Sequence, residues 1–172
     1  MREIRRLHQS RTELAQSKKL ILDGIEFIKR ARWQEAKTQL TESSKLSPQL
    51  PASYYHLGQS EATLGESTKA AEAYQKALVL APDYAKAHMP LGILFARTGQ
   101  AEAGLRELRD AVLSDPDLAD AHYNLALLLM SAGNKRETLS ELSAALALDP
   151  SNSGGRIVAN NLVGDEKKSG RN

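Results

Sequence analysis

The sequence predicts an all-α fold in which pairs of antiparallel helices stack along the chain. Three observations at a common spacing of 34 residues support this prediction. Prolines recur at Pro48, Pro82, Pro116 and Pro150. Small residues recur at Gly24, Gly58, Gly92 and Ala126, and a second glycine series is Gly65, Gly99 and Gly133. A fixed period of this length is typical of a repeat array in which each unit is one supersecondary element.

The unit that begins at Pro51 shows how its first half forms a helix. With Pro51 as position 1, positions 4, 7, 8 and 11 share one face at 3.6 residues per turn, which predicts an amphipathic helix over positions 1–14. Glycine inside a helix costs about 1 kcal/mol relative to alanine. The small residue at position 8 therefore predicts a close approach of two helices. Gly65, at position 15, suits a left-handed helix C-terminus.

The second half of the unit predicts a second helix. Ala70, Tyr74 and Ala77 at positions 20, 24 and 27 form an apolar stripe. Pro82 ends this helix because proline lacks an N–H group and restricts the residue before it. Asp83 and Asp117 follow two of the prolines and are predicted to cap the next helices.

This unit resembles the tetratricopeptide repeat family. The matching residues are Leu57, Gly58, Ala70, Ala77 and Pro82, with the aromatic residues Tyr54 and Tyr74 at positions 4 and 24; Glu61 stands where the family has tyrosine. The resemblance covers four units, 17–50, 51–84, 85–118 and 119–152. It implies a right-handed α-solenoid of antiparallel helix pairs, a superhelix that acts as a non-enzymatic scaffold or adaptor for protein or peptide partners.

The segments outside the four units have separate predictions. Residues 1–16 are predicted to form a basic helical extension. Residues 153–164 are predicted to form a short capping helix with an apolar stripe of Val158, Ala159, Leu162 and Val163, because the last repeat of an array needs cover for its apolar face. Residues 165–172 are polar and predicted to be disordered.

Composition and charge narrow the class of protein. The absence of cysteine excludes disulfides and thiolate metal sites. No apolar run is long enough to span a bilayer, and the N-terminus lacks a signal-peptide pattern. These features favour a cytoplasmic protein without a membrane partner, although a piece of a longer chain would look the same. Residues 1–32 carry nine lysines and arginines against four acidic residues. A nucleic-acid contact there is disfavoured because no aromatic residues accompany those charges up to Leu22.

The motifs that usually carry chemistry are missing from the sequence. It contains no phosphate-binding glycine loop, no Gly-x-Ser-x-Gly elbow and no His-Glu-x-x-His motif. His88 and His122 share position 4 of successive units and are interpreted as packing residues in place of tryptophan. Glu107 and Asp110 are interpreted as surface charges. We therefore expect no enzyme activity, no catalytic or metal site and no cofactor.

The resemblance places a ligand groove on the free face of the first helices, at positions 2, 5, 6, 9, 12 and 13. The predicted groove residues are Tyr55, His56, Gln59, Met89, Ile93, Arg97, Tyr123, Asn124 and Leu127. This face combines large apolar residues with a few cations, so the expected ligand is an apolar or amphipathic segment that is mildly acidic. In neither possible frame do the positions with which chaperone-binding members clamp a terminal carboxylate carry the complete set of lysines, asparagines and arginine, so a carboxylate-clamp co-chaperone is not expected. The alternative function is a structural module that self-associates through stacked repeats.

Overall fold

The computed structural model describes the backbone of residues 2–169, together with the side chains of this stretch other than residues 2, 5–7 and 163–169. The described residues form helices and the turns that join them, so the all-α prediction is confirmed. The helices are α1 Arg2–Lys29, α2 Trp33–Leu46, α3 Pro51–Thr63, α4 Ser67–Leu80, α5 Ala85–Arg97, α6 Ala101–Ser114, α7 Ala119–Ser131, α8 Lys135–Leu148 and α9 Ser153–Ser169. They form two compact units, Met1–Ala87 and His88–Asn172, which are called the first and the second unit from here on, whereas each 34-residue element is called a repeat.

The first helix of each repeat ends as the glycine series predicts. Gly65, Gly99 and Gly133 have φ angles of 81°, 82° and 79°, in the left-handed region. The Gly65 N–H donates to the Ala62 carbonyl at 3.2 Å, and the Glu66 N–H donates to the Glu61 carbonyl at 2.9 Å. This pair of bonds is the Schellman arrangement that satisfies the last carbonyls of a helix. Ala31, which occupies the same repeat position, adopts φ 55° without the freedom of glycine.

The small residue at position 8 marks the closest approach within a helix pair. A Cβ atom on Gly58 would lie 2.9 Å from Cδ1 of Tyr74, which is 2% exposed on α4. A Cβ atom on Gly92 would lie 2.8 Å from Cγ of Leu108 on α6. Glycine at this position therefore lets the two helices of a pair pack at a distance that a larger residue would increase.

In the first unit, α1 packs against α2 and α3, α2 packs against α3, and α3 packs against α4. The buried core consists of Ile21, Ala36, Leu40, Leu57 and Ala73. A polar cluster lies beside it. The Ser43 hydroxyl is 2.8 Å from the hydroxyl groups of both Ser17 and Ser53, and all three residues are fully buried. These mutual hydrogen bonds offset the cost of burying three hydroxyl groups between α1, α2 and α3.

In the second unit, α6 packs against α7, α7 against α8, and α8 against α9. Its core consists of Leu105, Leu108, Leu125 and Leu129. The glycines at the start of α9 permit close packing. A Cβ atom on Gly154 would lie 2.7 Å from the Tyr123 hydroxyl oxygen, and one on Gly155 would lie 3.4 Å from Cδ2 of Leu146. Helix α9 thus packs closely on α8, the last helix of the fourth repeat.

The structure differs from some local predictions. The aspartate caps are wrong, because α7 has Leu118 at its N-cap without a side-chain bond and α5 begins two residues after Asp83. Residues 2–16 continue directly into the first helix as part of α1. Helix α9 continues past residue 164 to Ser169, where the sequence predicted a disordered tail; residues 170–172 lie outside the described part. The Val163 side chain, part of the predicted capping stripe, also lies outside the described residues.

Candidate functional site

A cavity in the second unit is the strongest candidate for a binding site. Its volume is about 200 Å³, and its walls come from α5, α6 and α7. The lining residues are Ile93, Ala96, Arg97, Leu108, Asn124, Leu127, Leu128 and Ser131. Most of these side chains are apolar, so the cavity is suited to an apolar group more than to a charged one.

The apolar wall follows from the way α5 and α7 pack on α6. A Cβ atom on Gly104 of α6 would lie 2.8 Å from the Gly92 carbonyl oxygen of α5, so the two backbones approach closely. Ile93 and Leu128 pack against the leucine core while remaining half-buried. Leu108, 1% exposed, also lines the cavity. Residues of the leucine core and residues packed against it therefore form part of the cavity wall.

Polar groups surround this apolar wall. Arg97 is exposed in the last turn of α5 and carries the charge among the lining residues. The Asn124 side-chain amide donates to the Asp120 carbonyl at 2.7 Å, which fixes the orientation of that side chain. The Ser131 hydroxyl donates to the Leu128 carbonyl at 2.7 Å. The arrangement offers one cation and an oriented amide beside an apolar cavity.

The structure places the predicted groove residues of the second unit in three environments. Ile93, Arg97, Asn124 and Leu127 line the cavity together. Met89 packs against the core cluster instead. Tyr123 is half-buried, with its hydroxyl close to Gly154 of α9. Four lining residues, Ala96, Leu108, Leu128 and Ser131, were not among the predicted site residues, and Leu108 lies at position 24 of the predicted apolar stripe of the second helix.

The predicted residues of the first unit form an aromatic cluster. The ring centroid of Tyr55 lies 4.7 Å from that of His56, 5.3 Å from that of Tyr84 and 6.2 Å from that of Tyr74. The rings are tilted relative to one another, at interplanar angles of 46–60°. Aromatic pairs at these separations stabilise one another by about 0.5–1.5 kcal/mol beyond their buried area. The cluster is therefore a packed aromatic surface that also carries hydroxyl and imidazole groups.

Burial controls protonation within this aromatic cluster. Burial lowers the pKa of His56; the hydrogen bond with Gln59 opposes this shift, and the charge of Lys86 adds to it. His56 Nδ1 lies 3.4 Å from Oε1 of Gln59. Burial also raises the pKa values of Tyr55 and Tyr74. At neutral pH these groups are therefore uncharged, and the cluster is suited to apolar or aromatic contacts.

The structure also shows two histidine–glutamate pairs that the packing interpretation missed. His88 Nδ1 lies 2.8 Å from Oε2 of Glu107, and His122 Nδ1 lies 2.6 Å from Oε2 of Glu141. Each pair joins the two helices of one repeat, across a separation of 19 residues. The signal in the sequence was the recurrence of histidine at position 4 together with glutamate at position 23.

A buried carboxylate in the first unit is a further unexpected feature. Glu61 is 6% exposed, and its Oε2 atom has no hydrogen-bond partner among the described residues. Burial raises the pKa of this carboxyl group, while the neighbouring charge of Lys37 acts in the opposite direction. The corresponding positions of the other repeats hold Phe27, Phe95 and Leu129. Burying a glutamate at this position therefore carries a desolvation cost that the apolar residues of the other repeats avoid.

Comparisons with known proteins agree on the family of the repeats. A family model described as TPR repeat matches residues 58–99, and one described as tetratricopeptide repeat matches residues 89–153. The two matches overlap and together span more than half of the chain. No curated protein sequence matches the chain.

Similar solved structures are also repeat proteins. PilF of Pseudomonas aeruginosa is 18% identical, with a TM-score of 0.83 over 91% of this chain and 72% of that chain. MamA of Desulfovibrio magneticus is 22% identical, with a TM-score of 0.76 over 88% and 86% of the two chains. YrrB, described as a TPR protein with an unusual peptide-binding site, is 21% identical, with a TM-score of 0.68 over 80% and 71%. At these identities the likeness shows the fold, and it confirms the predicted α-solenoid class.

Among the described residues, each helix is too short or too polar to cross a lipid bilayer.

Proposed function

Because this chain belongs to the tetratricopeptide repeat family, we propose that it is a non-enzymatic scaffold or adaptor that binds a segment of a protein partner. The proposed site is the cavity of the second unit, which receives an apolar side chain of that segment. The observation that carries this proposal is the apolar cavity between α5, α6 and α7 with Arg97 among its lining residues. The peptide-binding site named for the similar protein YrrB is consistent with it.

The chemistry of the cavity defines the expected ligand. Burying one leucine-sized or phenylalanine-sized side chain contributes about 1.5–3 kcal/mol. Micromolar affinity requires about 8 kcal/mol, so one anchor cannot supply it. The remaining free energy has to come from backbone hydrogen bonds, to which Asn124 would contribute, and from further side chains along the segment. The Tyr55 cluster of the first unit is a second, separate candidate surface for such contacts.

The exposed charge of Arg97 sets the expected preference for acidic residues. An arginine beside an apolar cavity favours a carboxylate next to the anchoring side chain of the ligand. Since Arg97 is exposed, salt will screen this contact, and it will affect selectivity more than total affinity. The expected ligand is therefore an extended or helical segment with an apolar anchor and a neighbouring aspartate or glutamate.

Selection from a displayed library of random peptides tests this proposal directly. The wild-type protein is expected to enrich peptides that carry an apolar anchor beside an acidic residue. Arg97→Glu is expected to enrich basic residues beside the same anchor, and Leu127→Asp to lose the anchor preference. Arg106→Glu is the matched control, because Arg106 is an exposed arginine of the same unit outside the cavity lining. If all four proteins select the same peptides, the cavity is not the binding site.

Self-association is the alternative function, and exposed apolar residues on the second helices favour it. Val79 is 74% exposed and Leu113 is 80% exposed, at the same position of successive repeats. In a self-associating module these residues would contact a second copy of the chain. Light scattering over a concentration series of wild type and Leu113→Lys tests this. A mass that stays monomeric in both proteins rejects the alternative.

A further inference from the structure

Three side chains of types that bind metals in proteins meet in the second unit, away from the proposed peptide cavity. They are His88 on α5 and Glu107 and Asp110 on α6. One donor atom of each lies within 4.8 Å of the donor atoms of the other two. Glu107 and Asp110 are three residues apart, so they project from the same face of α6. The arrangement offers one nitrogen and two oxygen donors to a single point.

The short contact within this group is compatible with a metal ion. His88 Nδ1 and Glu107 Oε2 are 2.8 Å apart. A carboxylate oxygen only accepts, so either a proton or a cation must lie between the two atoms. Zinc bonds to imidazole nitrogen and to carboxylate oxygen are about 2.0–2.2 Å long. Two such bonds to atoms 2.8 Å apart meet at roughly a right angle, as neighbouring ligands of a five- or six-coordinate ion do.

The fourth repeat contains the same histidine–glutamate pair without the third donor. His122 Nδ1 lies 2.6 Å from Oε2 of Glu141, and His122 Nε2 donates to the Pro116 carbonyl oxygen at 2.9 Å. A carbonyl partner on one ring nitrogen is the usual way in which a metal-ligating histidine is oriented. Ala144 occupies the position that corresponds to Asp110. The pair alone is thus a repeated structural contact, and Asp110 is the addition that completes a three-donor set.

We propose that His88, Glu107 and Asp110 bind one divalent transition-metal ion of the zinc class. The mixed nitrogen and oxygen donors suit Zn²⁺, Co²⁺ or Ni²⁺ better than Mg²⁺ or Ca²⁺. With three protein donors, water completes the coordination. The His88 and Glu107 side chains are 11% and 23% exposed, so solvent reaches the ion and the affinity is lower than that of an enclosed structural zinc site. The bound ion would clamp α5 to α6.

Calorimetric titration of the full chain with Zn²⁺ tests the site. A second titration uses Co²⁺ and follows the visible absorption of the bound ion. Wild type is expected to bind one equivalent. Asp110→Ala is expected to weaken binding at least about tenfold. Ala144→Asp is expected to add a second equivalent, because it completes the donor set at His122 and Glu141. Circular dichroism of each variant shows that the helices remain folded.

A matched control separates this site from ion binding elsewhere. His122→Gln removes the other paired histidine and is expected to leave the single equivalent of wild type unchanged. The proposal is overturned if wild type takes up no Zn²⁺, if Asp110→Ala binds as tightly as wild type, or if Ala144→Asp adds no equivalent while it remains folded. These outcomes do not depend on peptide binding, so the metal site and the proposed function fail separately.

Discussion

Ala31 offers a test of the repeat register, because it is the residue that replaces glycine at a left-handed helix end. Its φ is 55°, and the same position of the next repeat holds Gly65 at φ 81°. The Ala31 N–H donates to the Ile28 carbonyl at 2.9 Å, and the Arg32 N–H donates to the Phe27 carbonyl at 2.9 Å. This is the hydrogen-bond pattern seen at Gly65. The substitution Ala31→Gly should therefore keep the backbone as it is and remove only the conformational strain.

The expected gain follows from two opposing terms. A non-glycine residue in the left-handed region costs roughly 1–2 kcal/mol. Glycine restores about 0.4–1 kcal/mol of entropy to the unfolded chain, which reduces the benefit. Ala31→Gly should thus raise the free energy of unfolding by about 0.5–1 kcal/mol, measured by urea unfolding followed by circular dichroism. The reverse change Gly65→Ala should lower it by a similar amount, because nothing lies within 4 Å of the added Cβ atom and strain is the main term.

The two variants together make the reasoning refutable. Both sites are exposed and lie in the same unit, so packing does not confound the comparison. Opposite signs of similar size are expected. If Ala31→Gly destabilises the protein while Gly65→Ala is neutral, the first repeat does not end its helix in the left-handed conformation and the strain argument is wrong.

Three further predictions concern stability. Gly58→Leu and Ala77→Leu should each lower the free energy of unfolding by about 1–3 kcal/mol or more, because both residues are closed against the facing helix; a neutral result in urea melts contradicts the register. Glu61→Gln should raise stability by about 1 kcal/mol at pH 7. Burial raises the pKa of Glu61 in the folded protein. The destabilisation caused by the charged carboxylate therefore appears as pH rises through the pKa of glutamate in the unfolded chain, about 4.3. The stability gained by Glu61→Gln should disappear in melts near pH 3, where the carboxyl group is protonated in both states. Deleting residues 154–172 should lower the melting temperature and the solubility, whereas deleting residues 165–172 should change neither. If the two truncated proteins behave alike, α9 does not cap the array.

The repeat pattern was sufficient to predict the helix pairs, because each of its positions has a local physical cause. Glycine at position 15 is favoured by a positive φ, although Ala31 also adopts one, and the small residue at position 8 is required by the packing distance to the facing helix. Both causes act within one 34-residue unit, so a single sequence displays them repeatedly. The aspartate caps failed for the opposite reason: a cap depends on where the turn after the proline ends, and α7 begins after Leu118 instead.

The candidate sites were less predictable, because they depend on which side chains of different helices come together. Leu108 fits the predicted core pattern and yet also lines the cavity, since a residue can pack against the core with one side and face the cavity with the other. The pairing of His88 with Glu107 needs the packing of α5 against α6, which the periodicity of either helix does not contain. Helical periodicity predicts which residues share one face of a helix, but it does not determine which faces of different helices come into contact.

A repeat array supplies internal controls that help to separate fold from function. Where successive repeats share a backbone and a core, a residue that departs from the common pattern is not explained by the requirements of the repeat. Asp110 lies at a variable, exposed position, and its contrast is with the corresponding Ala144, which accompanies an equivalent histidine–glutamate pair. Glu61 does depart from the common pattern, because it introduces a buried carboxylate at a position where the other repeats are apolar. Real proteins accept such a local cost where function requires it, so substitution of Glu61 should raise stability, whereas substitution of the exposed Asp110 should weaken metal binding without that gain.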